Sequence, residues 1–64
     1  VLVLVEVKTR ATKSEVGAFD RRLKKIAKLS RERVVGVLFG MRMSREARNL
    51  CARRGMIAVS GNQL

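Results

Sequence analysis

Hydrophobic residues fall into three short runs that are separated by two longer amphipathic segments. The first run, 1–8, has valine at every odd position and Leu2, Leu4, Glu6 and Lys8 at the even ones. The second run, 34–41, is apolar on both faces, and the third, 56–59, is shorter. Short β-branched runs with two apolar faces are typical of interior strands. We therefore predict three strands, of which the first lies inside its sheet.

The two amphipathic segments carry helix signals. Thr12 and Glu15 form a capping box, in which the threonine accepts from the Glu15 amide and the glutamate reaches back. A helix is predicted from there to about residue 31, with its buried stripe at Val16, Phe19, Leu23, Ile26 and Ser30, and Ala27 beside it. The second helix is predicted to be capped by Ser44, to end at Gly55 and to have an inner face of Ala47, Leu50 and Cys51.

This alternation predicts an α/β protein of β-α-β-α-β order with parallel strands. Parallel sheets bind ligands at the carboxyl ends of their strands, where the pattern places 6–10, 42–44 and 60–62. The 64 residues form one small domain, which at that size buries only about 60% of the unfolded chain's surface. A single cysteine excludes an internal disulfide, and histidine is absent. Because the chain also begins inside a strand, we expect a fragment of a larger domain, or an oligomer.

The net charge of the chain indicates a class of binding partner. The chain has 15 Lys and Arg against 5 Asp and Glu, a net charge of +10, and such a field attracts phosphates. The basic residues predicted to contact nucleic acid are Arg10, Arg21, Lys24, Lys25, Lys28, Arg42, Arg45 and Arg48. The alternative is a solvated basic surface with a helix pair between Asp20 and Lys24.

Other features of the sequence indicate the cellular compartment of the protein and argue against some functions. No signal peptide or run of roughly 18 apolar residues is present, and one unpaired cysteine is typical of the cytoplasm. We therefore expect a cytoplasmic protein without a membrane partner. The two phenylalanines are predicted to lie in the core, as is Cys51, so base stacking is not predicted.

Glu6 and Lys8 lie two positions apart on one face of the first strand, about 7 Å apart at the backbone. Charges in an apolar strand must be neutralised by a partner, a metal or each other. Their tips can converge on a small anionic or metal-bound group, or they can form a strand-end ion pair with Lys8 reaching water. The spacing leaves both alternatives open.

The segment LVEVKTR is an E-x-K at the end of an apolar strand, and it is followed by VGAFDRRLKKI, VVGVLFGM, SREARNLCARRG and MIAV. This order resembles the C-terminal part of the PD-(D/E)xK, or restriction-endonuclease-like, nucleases, and it is similar to their small microbial members, including archaeal-type proteins of uncharacterised function. The resemblance implies that Glu6 is a ligand of Mg²⁺ or Mn²⁺ and that Lys8 is a catalytic lysine. The family's metal-binding aspartate, on a preceding strand, is missing from this sequence, which implies that the fragment alone is inactive.

Two hypotheses follow. In the first, the chain is the E-x-K half of a nuclease, a hydrolase of DNA phosphodiesters, whose activity requires an upstream aspartate. In the second, it is a non-catalytic basic module on the same scaffold, which binds nucleic acid or dimerises through an exposed strand or helix face. Nucleic acid, with DNA expected, and further copies of the chain are the predicted partners. A membrane-surface role is disfavoured because the first helix lacks tryptophan.

Overall fold

The computed structural model describes residues 1–61 and contains three strands and two helices. They follow one another as β1 (Leu2–Ala11), α1 (Lys13–Leu29), β2 (Val34–Met43), α2 (Arg45–Arg53) and β3 (Ile57–Ser60). The strands form one parallel sheet in the order β1-β2-β3. The predicted α/β class and β-α-β-α-β arrangement are confirmed.

Capping side chains set the helix ends. Thr12 Oγ1 accepts from the Glu15 amide at 3.4 Å, and Ser44 Oγ accepts from the Ala47 amide at 3.1 Å. Gly55 has a φ of 71°, the left-handed conformation that glycine adopts without a steric penalty. Both predicted caps and the predicted stop are therefore present, although α1 ends at Leu29, earlier than expected.

The core lies between the sheet and the two helices, which contact each other on one side of the sheet. Its buried hydrophobic residues are Ala11, Val16, Phe19, Leu38, Met43, Ala47, Cys51 and Met56. The predicted stripe of α1 is buried only in its first half, since Leu23 and Ile26 are half-buried and Ala27 is exposed. Asp20, which the sequence did not assign to the core, is buried in α1.

The alternation of side chains between the two faces of the sheet breaks near the carboxyl ends of β1 and β2. Strict alternation would place Ala11 and Met43 on the same face as the odd-numbered valines, yet both are buried in the core. Gly40 permits this change of face, because a Cβ at that position would lie only 2.8 Å from the Ala11 Cβ. Both strands also run further than predicted, to Ala11 and Met43. Glu6 and Lys8 consequently lie within β1 rather than at its end.

The other face of the sheet is open among the described residues. Val3, Val5 and Val7 are 55%, 57% and 67% exposed, and β1 has β2 as its sole neighbour in the sheet. The prediction that β1 is an interior strand is therefore wrong for residues 1–61. The apolar pattern is real, but both helices pack on one side and leave the second apolar face uncovered.

Candidate nucleic-acid interface

Glu6 and Lys8 belong to a chain of alternating charges on the helix-covered face of β1. Both carboxylate oxygens of Glu6 accept from Arg22 on α1. The Lys8 Nζ lies 3.9 Å from Glu6 Oε2 and 3.4 Å from Glu15 Oε2. The order of charges is thus Arg22, Glu6, Lys8, Glu15, and every charge has an opposite neighbour. Of the two alternatives that the spacing left open, this geometry favours an ion pair.

The same residues do not fit a resident divalent ion. Mg²⁺ requires near-octahedral oxygen coordination, and residues 1–61 contain no group of three or more His, Cys, Asp or Glu that could hold a metal. The oxygens of Glu6 already face the Arg22 guanidinium and the Lys8 ammonium. Two cations beside one carboxylate oppose the binding of a third.

A cavity of about 420 Å³ opens at the carboxyl ends of β1 and β2. Arg10 and Arg42, which face each other as partners in the strand register, both lie on its wall. Its other lining residues are Ala11, Thr12, Met43 and Ser44. The residues that line the cavity therefore include two arginines and no acidic residue.

Both helices begin at this cavity. Thr12 is the N-cap of α1 and Ser44 is the N-cap of α2, and both residues line the cavity. A helix N-terminus is equivalent to about half a positive charge and presents amide groups that can donate to an anion. Carboxylates also occur in the first turns, as Glu15 and Glu46, but Glu15 is paired with Lys8. Among the described residues of the carboxyl edge, the positive charges of Arg10, Arg42, Arg45 and Arg48 and of two helix N-termini therefore outnumber the one remaining carboxylate, that of Glu46.

The eight basic residues that the sequence assigned to nucleic acid form two groups. Those at or beside the N-termini of the helices are Arg10, Arg42, Arg45 and Arg48. Those further along α1 are Arg21, Lys24, Lys25 and Lys28. The 17 residues of α1 extend about 25 Å, so the structure brings the first group together and spreads the second toward the opposite edge. Within residues 1–61, Lys24 is the member of the eight that forms an ion pair.

That ion pair belongs to a second, structural cluster. Lys24 Nζ and Arg54 Nη1 each lie 3.2 Å from Asp20 Oδ2, and Asp20 is buried. The predicted helix pair between Asp20 and Lys24 is confirmed. Arg54 was not predicted here, because its approach depends on how the end of α2 packs against α1.

Cys51 is buried in the core, as predicted. Desolvation by burial raises the pKa of its thiol above the ordinary value. Because the thiolate is the nucleophilic form, the raised pKa keeps Cys51 protonated and unreactive. This agrees with a packing role.

No family model, curated protein or solved structure matches this chain. Within the part of the chain that the structure describes, no helix has the length and apolar character needed to cross a membrane. Function is therefore inferred from the cavity and the charges around it.

Proposed function

We propose that this chain binds the phosphate backbone of nucleic acid, with DNA as the expected ligand, at the carboxyl edge of its sheet. The observation that carries the proposal is the cavity at which Arg10, Arg42 and the N-termini of two helices meet. Two guanidinium groups and two helix N-termini repel one another through like charge. An anion bound among them converts that repulsion into attraction.

The chemistry of these groups suits a phosphodiester. A guanidinium can donate two parallel hydrogen bonds to phosphate oxygens, and the backbone amides of a helix N-terminus can donate to the same group. Arg45 and Arg48 lie in α2 just after its cap and extend the basic surface for a neighbouring phosphate. Contacts of this kind fix position on a backbone but carry no sequence information, so we expect binding without sequence preference.

A salt titration tests the proposal. Binding of a short DNA duplex is measured by fluorescence anisotropy across a range of salt concentrations, for the wild-type chain and for the double variant Arg10→Gln, Arg42→Gln. Each lost phosphate contact flattens the plot of log K against log salt by about 0.9. We therefore expect the slope of the double variant to be flatter by about two, with roughly tenfold to hundredfold weaker binding at low salt.

The matched control is the double variant Arg31→Gln, Arg33→Gln. These two arginines are exposed and lie at the opposite edge, where the Arg33 carbonyl accepts from the Leu2 amide. They carry the same charge and undergo the same change, so their variant should bind nearly as the wild type does. Equal weakening by both pairs would show a diffuse attraction without a site at the carboxyl edge, and absence of binding by the wild-type chain would refute the proposal.

A second candidate function is cleavage of DNA phosphodiesters. It rests on the E-x-K of Glu6 and Lys8, whose side chains meet on one face of β1 as the resemblance to PD-(D/E)xK nucleases implies. Since the described residues do not fit a metal ion, catalysis would require a carboxylate in addition to Glu6. Adding Mg²⁺ or Mn²⁺ to the bound duplex separates the candidates. Cleavage that Glu6→Gln abolishes supports the nuclease, and binding that does not depend on the metal ion and survives Glu6→Gln supports the non-catalytic module.

A further inference from the structure

The face of the sheet that points away from the helices is a continuous apolar surface, which we call the open face. Five of its side chains are more than half exposed, namely Val3 at 55%, Val5 at 57%, Val7 at 67%, Met41 at 61% and Ile57 at 52%. Half-buried side chains complete the surface between them, at Val35, Val37, Phe39 and Val59. Strand register places these residues side by side, with Val5 beside Val37 and Val37 beside Ile57.

The open face is large for so small a chain. From the exposed fractions of its side chains, its exposed apolar area is on the order of 600 Å², which is the upper end of the range for the largest apolar patch on a typical monomer. All nine of its residues are aliphatic, aromatic or thioether side chains. Covering a surface of this size and composition is favourable, because it removes apolar side chains from water.

We infer that the open face binds the open face of a second copy of this chain, so that two sheets pack against each other. Complete coverage of two such faces by each other would bury about 1,200 Å², the lower bound for specific and stable protein interfaces. Sheets pack face to face about 10 Å apart when both present alternating apolar side chains. The result is a four-layer dimer, with the helices of each copy on the outside and a second hydrophobic core between the sheets.

The distribution of charge supports a second copy as the occupant. Each chain has a net charge of +10, so most arrangements of two copies bring basic surfaces together. Face-to-face packing of the sheets places the two helix layers on opposite outer sides, separated by more than the sheet spacing of about 10 Å and hence by more than the Debye length of about 8 Å. An acidic partner is not favoured as the occupant, because the nine residues of the open face include no positively charged side chain.

Small size is a further reason. Among residues 1–61, eight hydrophobic residues are buried in the core, and chains of this length commonly need a partner or a crosslink for stability. Because Cys51 is the single cysteine in the sequence, a disulfide within one chain cannot supply that crosslink. A second core between two copies adds buried apolar surface to the small core of each chain.

Sedimentation equilibrium without DNA tests this inference, from micromolar to millimolar chain concentration. The wild-type chain is expected to reach twice its 7.2 kDa mass and no more. The double variant Val5→Lys, Val7→Lys is expected to remain at 7.2 kDa, because it places two ammonium groups of each copy within the apolar interface. Both side chains are more than half exposed in the single chain, so the monomer has room for the lysines.

The matched control is Leu29→Lys, which makes the same kind of change at a side chain that is 88% exposed on the last residue of α1. This variant should dimerise as the wild type does. If circular dichroism shows that the double-lysine variant is unfolded, Val5→Thr, Val7→Thr replaces it, since threonine keeps the branched shape and adds only hydroxyl groups. The threonine variant should dimerise at least tenfold more weakly.

Three results would overturn the inference. The wild-type chain could remain monomeric at millimolar concentration, or the lysine and threonine variants could dimerise as tightly as the wild type. The mass could also rise without limit, which would show that the uncovered edge of β1 pairs from chain to chain instead.

Discussion

Two adjacent arginines on α1 have different surroundings at the scale of single residues. Arg22 donates to both oxygens of Glu6, whereas Arg21 forms no ion pair with any residue of the described range 1–61. The side chain of Arg22 is 48% exposed and that of Glu6 is 23% exposed, so solvent screens their attraction only in part. The same substitution at the two positions therefore separates the effect of the contact from the effect of removing one positive charge.

We predict that Arg22→Gln lowers the free energy of unfolding by about 0.5–1 kcal/mol, the upper part of the range for partly exposed ion pairs. Loss of Arg22 leaves Glu6 with Lys8 at 3.9 Å as its remaining cation. Urea denaturation of both variants measures the difference, which should shrink in concentrated salt. Arg21→Gln, the control, should change stability by less than about 0.3 kcal/mol. Equal effects of the two substitutions would show that the contact with Glu6 contributes nothing.

Sequence spacing predicted part of this cluster. The two-residue interval between Glu6 and Lys8 places both on one face of a strand, and the structure confirms that they meet. The partners Arg22 and Glu15 were not predicted, because their contacts depend on how α1 crosses β1. Glu15 shows that the local pattern predicted one of its two contacts. Its amide donates to Thr12 as predicted. Its carboxylate contacts Lys8, whereas the capping box predicted that it would reach back to Thr12.

At the scale of elements, β2 is the central strand, and two of its glycines lie under different neighbours. A Cβ added at Gly36 would meet the methyl groups of Leu23. A Cβ added at Gly40 would lie 2.8 Å from the Ala11 Cβ and 3.1 Å from the Arg42 carbonyl oxygen. The tip of a leucine side chain can rotate away, whereas a Cβ and a carbonyl oxygen move only with the backbone.

We predict that Gly40→Ala lowers the free energy of unfolding by about 1–3 kcal/mol, the range for overpacked cores. Gly36→Ala should cost less, because rotation of Leu23 relieves the contact and alanine suits a strand better than glycine does. Urea denaturation of the two variants measures both changes. A larger loss of stability at Gly36 than at Gly40 would contradict this account of the packing around Gly40.

Element boundaries were predicted well where a side chain terminates the element. Thr12, Ser44 and Gly55 each act through a local hydrogen bond or backbone angle, which is why the sequence alone identified them. The ends of β1 and β2 were placed too early because the polar residues that follow Lys8 and Met41 resemble loop residues. The two strands remain paired there, and Ala11 and Met43 are buried in the core beside Gly40.

At the scale of the whole molecule, three surfaces have different chemistry. The helix layer is basic, the carboxyl edge of the sheet joins two arginines to two helix N-termini, and the open face is apolar. The sequence placed Arg10 and Arg42 at one edge because parallel strands end there together. The sequence did not predict the open face. An apolar strand pattern identifies the side chains that favour burial, but it does not show which element packs against them. Asn62, predicted to lie at the edge, falls outside the described residues.

The central claim is that nucleic acid binds at the carboxyl edge, and a map of amide chemical shifts during titration with a DNA duplex tests it most directly. We predict that the first and largest changes occur at 10–15 and 42–48, in 15N-labelled wild-type protein, because the cavity and both helix N-termini lie there. The amides of 31–33, at the opposite edge, should change little. Changes confined to the outer surface of α1 around Arg21, Lys25 and Lys28, or no changes at all, would contradict the claim.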